Sequence, residues 1–236
     1  VAWAASLGGL AVLDALFSDG DPGRRVLVAL LAGGANVRLA LHLFLDRARG
    51  GARNRHGGED GRYRTLRAKW GNSAGRNFFL FFQAQAVLAV LLSLPFLVAC
   101  AHTAPFGVFD AAALALGAIA LAGEWLADRQ LARFRADPTQ RGRTCRAGLW
   151  RFSRHPNYFC QWLLWCSYAL LAWPAPLGAL GLVSPLVMLA LIVFVTGIPP
   201  TEAQALRSRG DDYRAYQRTT SAFVPWFPRR RPAVSP

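Results

Sequence analysis

Residues 77–99 read NFFLFFQAQAVLAVLLSLPFLVA, a run without a charged side chain. A helix advances about 1.5 Å per residue, so ~20 such residues cross the hydrocarbon core of a bilayer. Comparable apolar runs occupy 1–17, 26–46, 108–128, 158–173 and 177–198. The pattern predicts an all-α polytopic membrane helix bundle, a single integral-membrane domain in which each of these runs is one crossing. The first run is already under way at Val1. A further helix is therefore expected ahead of it.

The chain is 53% hydrophobic yet carries a formal net charge of +14. A soluble domain seldom combines the two, but apolar spans alternating with basic loops do. Segment 47–76 holds Arg47, Arg49, Arg53, Arg55, Arg62, Arg64, Arg67, Lys69 and Arg76. Segment 129–154 holds Arg129, Arg133, Arg135, Arg141, Arg143, Arg146, Arg151 and Arg154. The tail adds Arg207, Arg209, Arg214, Arg218 and Arg229 to Arg231. Alternating crossings put all three on one face, which the positive-inside rule assigns to the cytoplasm. The other face keeps only Arg24 and Arg25, balanced by Asp19 and Asp21. The charge thus follows membrane orientation, and no nucleic-acid partner is expected. Cys100, Cys145, Cys160 and Cys166 lack metal-type spacing and are expected as free thiols. His42, His56 and His102 lie in separate segments, so no metal site is expected either.

Between the spans, 47–61 is a Gly- and Arg-rich loop expected to be mobile or ordered only by a ligand. RYRTLRAKWG (62–71) reads as a short interfacial helix with Tyr63, Leu66 and Trp70 at helical spacing, suited equally to lipid headgroups or to a ligand. Pro174 and Pro176 turn the chain between the last two spans, and Gly197, Pro199 and Pro200 end the last one. TEAQALRSRGDDYRAYQR (201–218) then reads as a cytoplasmic helix interrupted by Gly210. SAFVPWFPRRR (221–231) is an aromatic and proline segment suited to the membrane interface.

Chemistry concentrates at GLWRFSRHPNYFCQWLLW, residues 148–165, where a cationic block enters an apolar helix. Pro156 suits the first helical turn, whose free N–H groups and positive dipole end attract anions. Arg151, Arg154 and His155 stand on the approach, followed by Asn157, Tyr158 and Gln161. Arginine grips oxyanions bidentately, so this cluster reads as a ligand site, whereas arginines scattered over the loops read as lipid contacts. Glu124 and Asp128, four apart, share one helix face. They either receive a ligand's hydrogen bonds or pair with Arg129 or Arg133. Arg135, two turns beyond Asp128, suits a phosphate. Gln83 and Gln85 interrupt the third run and either bond a substrate oxygen or bridge helices. Glu202, Arg207, Tyr213, Tyr216 and Arg218 recur at helical intervals in the tail.

With these residues in view, the chain resembles the steroid 5-alpha-reductase family, in particular its bacterial membrane branch of formerly unknown function. The resemblance runs from about Trp70 to Phe227, and is carried by GLWRFSRHPNYFCQWLLW and TGIPPTEAQALRSRGDDYRAYQRTTSAFVPWFP. The tail is also similar to that of sterol carbon-14 and carbon-7 reductases. The resemblance implies about seven membrane helices in the full protein, set in a bacterial inner membrane. It further implies NADPH between the cytoplasmic ends of the later helices, and hydride delivery to an activated carbon–carbon double bond of a hydrophobic, lipid- or steroid-like substrate entering from the bilayer. By position, Glu124 and Asp128 match polar residues near the adenosine portion, and Arg135 a phosphate contact. Asn157, Gln161 and Glu202 match further cofactor contacts, and Tyr213, Tyr216 and Arg218 the tail pattern, with Tyr216 expected, like Gln83 and Gln85, to be catalytic. The chain departs from the family at Gln161, usually glutamate. It departs again near Gln83 to Gln85, where ketosteroid reductases place an acid. Glutamine donates a hydrogen bond to a carbonyl but supplies no proton.

The competing reading is an S-adenosylmethionine-dependent membrane methyltransferase of the isoprenylcysteine or phospholipid type, which shares an Arg-His-Pro-x-Tyr helix start and an acidic C-terminal helix. Those enzymes show paired glutamates where this chain has Thr201 and Glu202.

Overall fold

A computed structural model describes residues 2–51 and 61–229. Most of the Gly- and Arg-rich loop, and Arg230 and Arg231, lie outside the described residues. Among the described residues the regular structure is helical, and the one β pairing is an isolated parallel bridge between Ser153 and Ser221. The helices are α1 (Ala2–Phe17), α2 (Pro22–Val28), α3 (Ala35–Gly51), α4 (Gly61–Trp70), α5 (Ala74–Ala101), α6 (Val108–Ala136), α7 (Pro156–Ala172), α8 (Val183–Ala190) and α9 (Ile198–Thr219). A π-helical segment, Ala29–Gly34, joins α2 to α3. α3 continues through Gly51, so the start of the expected loop is helical.

Among the described residues, three helical stretches are long and apolar enough to cross a membrane: Leu66–Ala101, Val108–Ala136 and Gly178–Thr219. The last is apolar only in its first part. From Glu202 onward it carries Arg207, Arg209, Asp211, Asp212, Arg214 and Arg218, so α9 lies beyond the apolar segment. The other expected crossings are helical but shorter or more charged; Trp3–Phe17 is the short apolar case. Large apolar side chains stand exposed along the long helices, among them Phe79, Val87, Ile119, Leu186 and Phe194. Such contiguous apolar exposure marks a lipid-facing surface.

The chain divides into two compact units. The first comprises 1–107 and 172–183. Here α1 packs on α3 and α5. Arg24 of α2, 1% exposed, is structural: its guanidinium donates to His102 O (2.9 Å), Ala104 O (3.0 Å) and Pro105 O (3.3 Å). Arg25 donates to Ala15 O and Leu16 O at the end of α1. Arg25 thus serves carbonyls at the end of α1, and Arg24 those of the segment that follows α5. Asp21 caps α2, accepting from Arg24 N at 2.9 Å. Tyr63 and Trp70 of α4 pack on Phe78, Phe81 and Phe82 of α5, with the Arg67 guanidinium 5.3 Å from the Phe78 ring. The aromatic face of the expected interfacial helix therefore lies against protein.

The second unit comprises 108–171 and 184–236. Thr196 N and Gly197 N both turn back to donate to Leu191 O, which ends the apolar segment before α9. The tail runs beside the approach to α7: Arg154 N donates to Ser221 O (2.8 Å) and Trp226 N to Phe152 O (2.9 Å). Phe223 packs on Phe159 and Trp162, and Phe227 on Phe152. All four cysteines carry free thiols.

Candidate functional site

In the second unit the segment 148–165 begins with a turn that side chains hold in place. Gly148 adopts φ +59°, and a Cβ there would lie 2.4 Å from the Gln130 side chain. That closeness lets Leu149 N donate to Gln130 Oε1 at 2.9 Å, while Trp150 Nε1 donates to Ala127 O at 2.9 Å, tying the turn Gly148–Arg151 to α6. Ser153, fully buried, donates to Phe223 O (2.8 Å) and accepts from His155 N (3.1 Å). Tyr216, 2% exposed, donates its hydroxyl to Trp150 O and to Ser153 O (3.1 Å). The Tyr216 hydroxyl, expected as catalytic, thus bonds backbone carbonyls of the turn and ties α9 to it. Burial pushes the Tyr216 phenol well above its ordinary range.

Glu202 organises the other end of this contact. Its Oε1 accepts from Arg154 Nε (2.7 Å), His155 Nε2 (3.2 Å) and Tyr213 Oη (3.2 Å), and its Oε2 from Gln217 Nε2 (2.7 Å). Arg154 also donates to Gln217 O and Thr220 O at the end of α9. Burial pushes the Glu202 carboxyl up, but hydrogen bonds from His155 and Arg154, the Arg154 charge and Gln217 outweigh it and hold it at about 2. Burial and the Glu202 charge push Tyr213 upward in turn. Glu202 and Arg154, expected as cofactor contacts, are thereby committed to each other and to the backbone.

Around this network lies a cavity of about 130 Å³, lined by Arg135, Arg154, His155, Asn157, Tyr158, Tyr213 and Tyr216, all expected site residues. Thr144, Cys145, Thr201 and Arg209 complete its polar wall. The His155 ring stacks on Tyr158 at 5.2 Å, and Tyr158 Oη lies 3.1 Å from Thr201 Oγ1. Asn157 Nδ2 donates to Asp128 Oδ1 at 3.1 Å, so Asp128 reaches the site through Asn157. Burial pushes the Cys145 thiol up, opposed by the Ala147 backbone and by the nearby charges of Arg135 and Arg209.

Glu124, Gln161, Arg151, Arg207 and Arg218 are not among the residues lining this cavity. Arg151, Arg207 and Arg218 are exposed, and Arg151 lies over the Phe152 ring at 6.0 Å. Arg209 and Thr144 on the cavity and Gln217 in the Glu202 network are not among the expected site residues. Arg209 was legible: it precedes Tyr213 by four residues, and its guanidinium lies 5.0 Å from that ring. Thr144 and Gln217 belong to no pattern that sequence periodicity exposes.

A second cavity in this unit, about 500 Å³, is lined by Arg133, Asp137, Arg143, Thr144, Arg146 and Asp212 among others. In the first unit a separate apolar cavity of about 520 Å³ is lined by Trp3, Leu10, Phe82, Gln85 and Ala89 among others. Gln85 reaches it, whereas Gln83, two residues away on the helix and so on another face, is exposed.

The profile of the family described as "Protein of unknown function (DUF1295)" matches residues 1–220. No curated protein and no solved structure matches the chain.

Proposed function

The chain belongs to the DUF1295 family, and from the site it carries we propose that it is an NADPH-dependent membrane oxidoreductase reducing an activated carbon–carbon double bond of a hydrophobic, lipid- or steroid-like substrate. The observation that carries this reading is the convergence of Arg135, His155, Asn157, Tyr158 and Tyr213 on one polar cavity at the start of an apolar helix. The donor set fits the cofactor: guanidiniums and hydroxyls suit phosphate oxygens. At about 130 Å³ it is smaller than a whole dinucleotide needs, so only part of the cofactor would sit in it.

NADPH, when bound, supplies a hydride to an electron-poor carbon. The chain's own residues bind and orient. Arg135 and Arg209 receive phosphate charge. Asn157, held by Asp128, offers a fixed amide, and Arg154 with Glu202 keeps the wall rigid. Gln85 donates a hydrogen bond to a substrate carbonyl inside an apolar cavity, and lipid is the medium from which such a substrate enters. The reading places the protein in a bacterial inner membrane, crossing six times in this chain, with its basic segments cytoplasmic.

Thermal shift of the detergent-purified protein with NADPH, NADH and S-adenosylmethionine tests it. Stabilisation by NADPH is expected; a shift with S-adenosylmethionine alone would replace the reading with the methyltransferase. Asn157→Ala should weaken NADPH binding about tenfold, the value of one charge-assisted hydrogen bond. Gln85→Ala should lower turnover at unchanged NADPH affinity, and Gln83→Ala should do neither. Equal effects of the two glutamine substitutions would remove Gln85 from its role.

A further inference from the structure

The second unit concentrates buried polar atoms that lack a partner. Among the described residues these atoms are Thr144 Oγ1, Arg209 Nε, Asp212 Oδ2 and Trp3 Nε1. All but Trp3 belong to residues lining the two cavities of the second unit. Thr144 lines both, and at 7% exposure it is a buried hydroxyl with nothing to bond. An unsatisfied buried polar group destabilises the fold by about 1–3 kcal/mol, so such groups gathered at cavities point to a ligand that supplies the missing bonds.

Their chemistry specifies that ligand. Arg209 Nε is a cationic donor, and Thr144 offers a hydroxyl on the same cavity. Arg135 adds a second guanidinium on the same cavity, and Arg133 and Arg143 add two more on the larger one. Asp212 is an acceptor: Arg146 engages its Oδ1 at 2.7 Å, leaving Oδ2 to receive a donor. A bare anion satisfies the cations but not Asp212, and a neutral nucleoside satisfies Asp212 but not the arginines. A sugar phosphate carrying free hydroxyl or amine donors satisfies both.

We propose that Thr144 and Arg209 grip a phosphate on the ribose of an adenine nucleotide, and that Asp212 Oδ2 accepts a hydrogen bond from its sugar or base. This rests on the NADPH reading and assigns the adenosine end of that same cofactor to Arg209 together with Thr144 and Asp212. The site joins the smaller cavity to the larger through Thr144. It would distinguish phosphorylated from unphosphorylated adenosine ribose, and hence NADPH from NADH.

The test uses adenosine 2′,5′-bisphosphate, which lacks the nicotinamide, with calorimetric binding in phosphatidylcholine nanodiscs. Thr144→Val should weaken binding at least about tenfold while leaving thermal stability of the ligand-free protein unchanged or raised, because the orphaned hydroxyl is removed. Thr144→Ser should restore binding, and Arg209→Gln should weaken it by a similar factor. A merely structural Thr144 would instead lower stability when replaced, with no selective loss of the phosphorylated ligand. Unchanged affinity in Thr144→Val and Arg209→Gln, with intact NADPH binding, overturns this proposal and spares the reductase. Binding of the bisphosphate that both variants weaken, in a protein without reductase activity, sustains the site and sinks the reductase. Equal competition by inorganic phosphate, or by phosphatidylglycerol in the nanodisc, shows an unselective anion or lipid headgroup contact and overturns the nucleotide assignment.

Discussion

Glu202 holds its partners by charge. Its carboxylate accepts from four side chains, and its acidity follows from them: burial alone would raise its pKa, but the donors and the Arg154 cation bring it to about 2 from an ordinary 4.5. A carboxyl whose folded pKa is depressed contributes stability above its unfolded pKa and loses it as pH falls through the folded one. The contribution of Glu202 is therefore complete above about pH 4.5 and gone near pH 2. Acid melts should show wild type losing stability across that window more steeply than Glu202→Gln. At neutral pH the glutamine variant should be about 2 kcal/mol less stable, since it leaves Arg154 without its counter-charge. Identical acid profiles would remove Glu202 from the centre of this network. Arg154→Ala should likewise lower stability, because three acceptors lose their donor.

At the level of elements, α9 works because it is broken. Gly210 has φ +50° and ψ −120°, a region essentially reserved for glycine. Arg209 precedes the break and Tyr213 follows it, so the kink lets both line one cavity. A Cβ at 210 would meet nothing within 4 Å, so the penalty of Gly210→Ala is purely conformational. It should lower stability by about 1–3 kcal/mol, and nucleotide affinity should fall with it; calorimetry on one preparation reads both. Full affinity in a destabilised variant would separate the kink from the site. The turn at Gly148 depends on contact instead, because its added Cβ would collide with Gln130. Gln130→Ala should therefore recover part of the stability lost in Gly148→Ala, although the positive φ strain remains.

The whole molecule is shaped by lipid. Phe194 is 75% exposed at the end of an apolar segment, and Ile119 65% exposed within α6. In water these surfaces would drive aggregation, whereas in a bilayer they are solvated by acyl chains. An aspartate near a span centre costs about 2.5–3.5 kcal/mol of insertion free energy, so Ile119→Asp should reduce membrane integration while Arg141→Asp should not. Proposed orientation is testable with single cysteines at Arg141 and Ser208 in a cysteine-free background. Both should react with an impermeant maleimide only after the inner face is opened. Reaction of either from the outside would break the positive-inside assignment.

The membrane class, the helical runs, the break at Gly210 and the residues crowding the start of α7 all follow from the sequence, because hydrophobicity, proline and glycine act locally. Arg135, His155, Asn157, Tyr158 and Tyr213 could be picked out for the same reason: polar groups stand out against an apolar background. What each one bonds was decided by tertiary structure. Arg154 and Arg209 look alike in sequence as basic residues near the candidate site. One meets Glu202 and two carbonyls, while the other keeps a buried Nε without a partner. Likewise the sequence marks Tyr216 as a site phenol, but only the fold shows that its hydroxyl meets the carbonyls of Trp150 and Ser153. A hydrogen bond depends on where the chain returns to itself, as from 154 to 202 or from 150 to 216. No local pattern carries that distance.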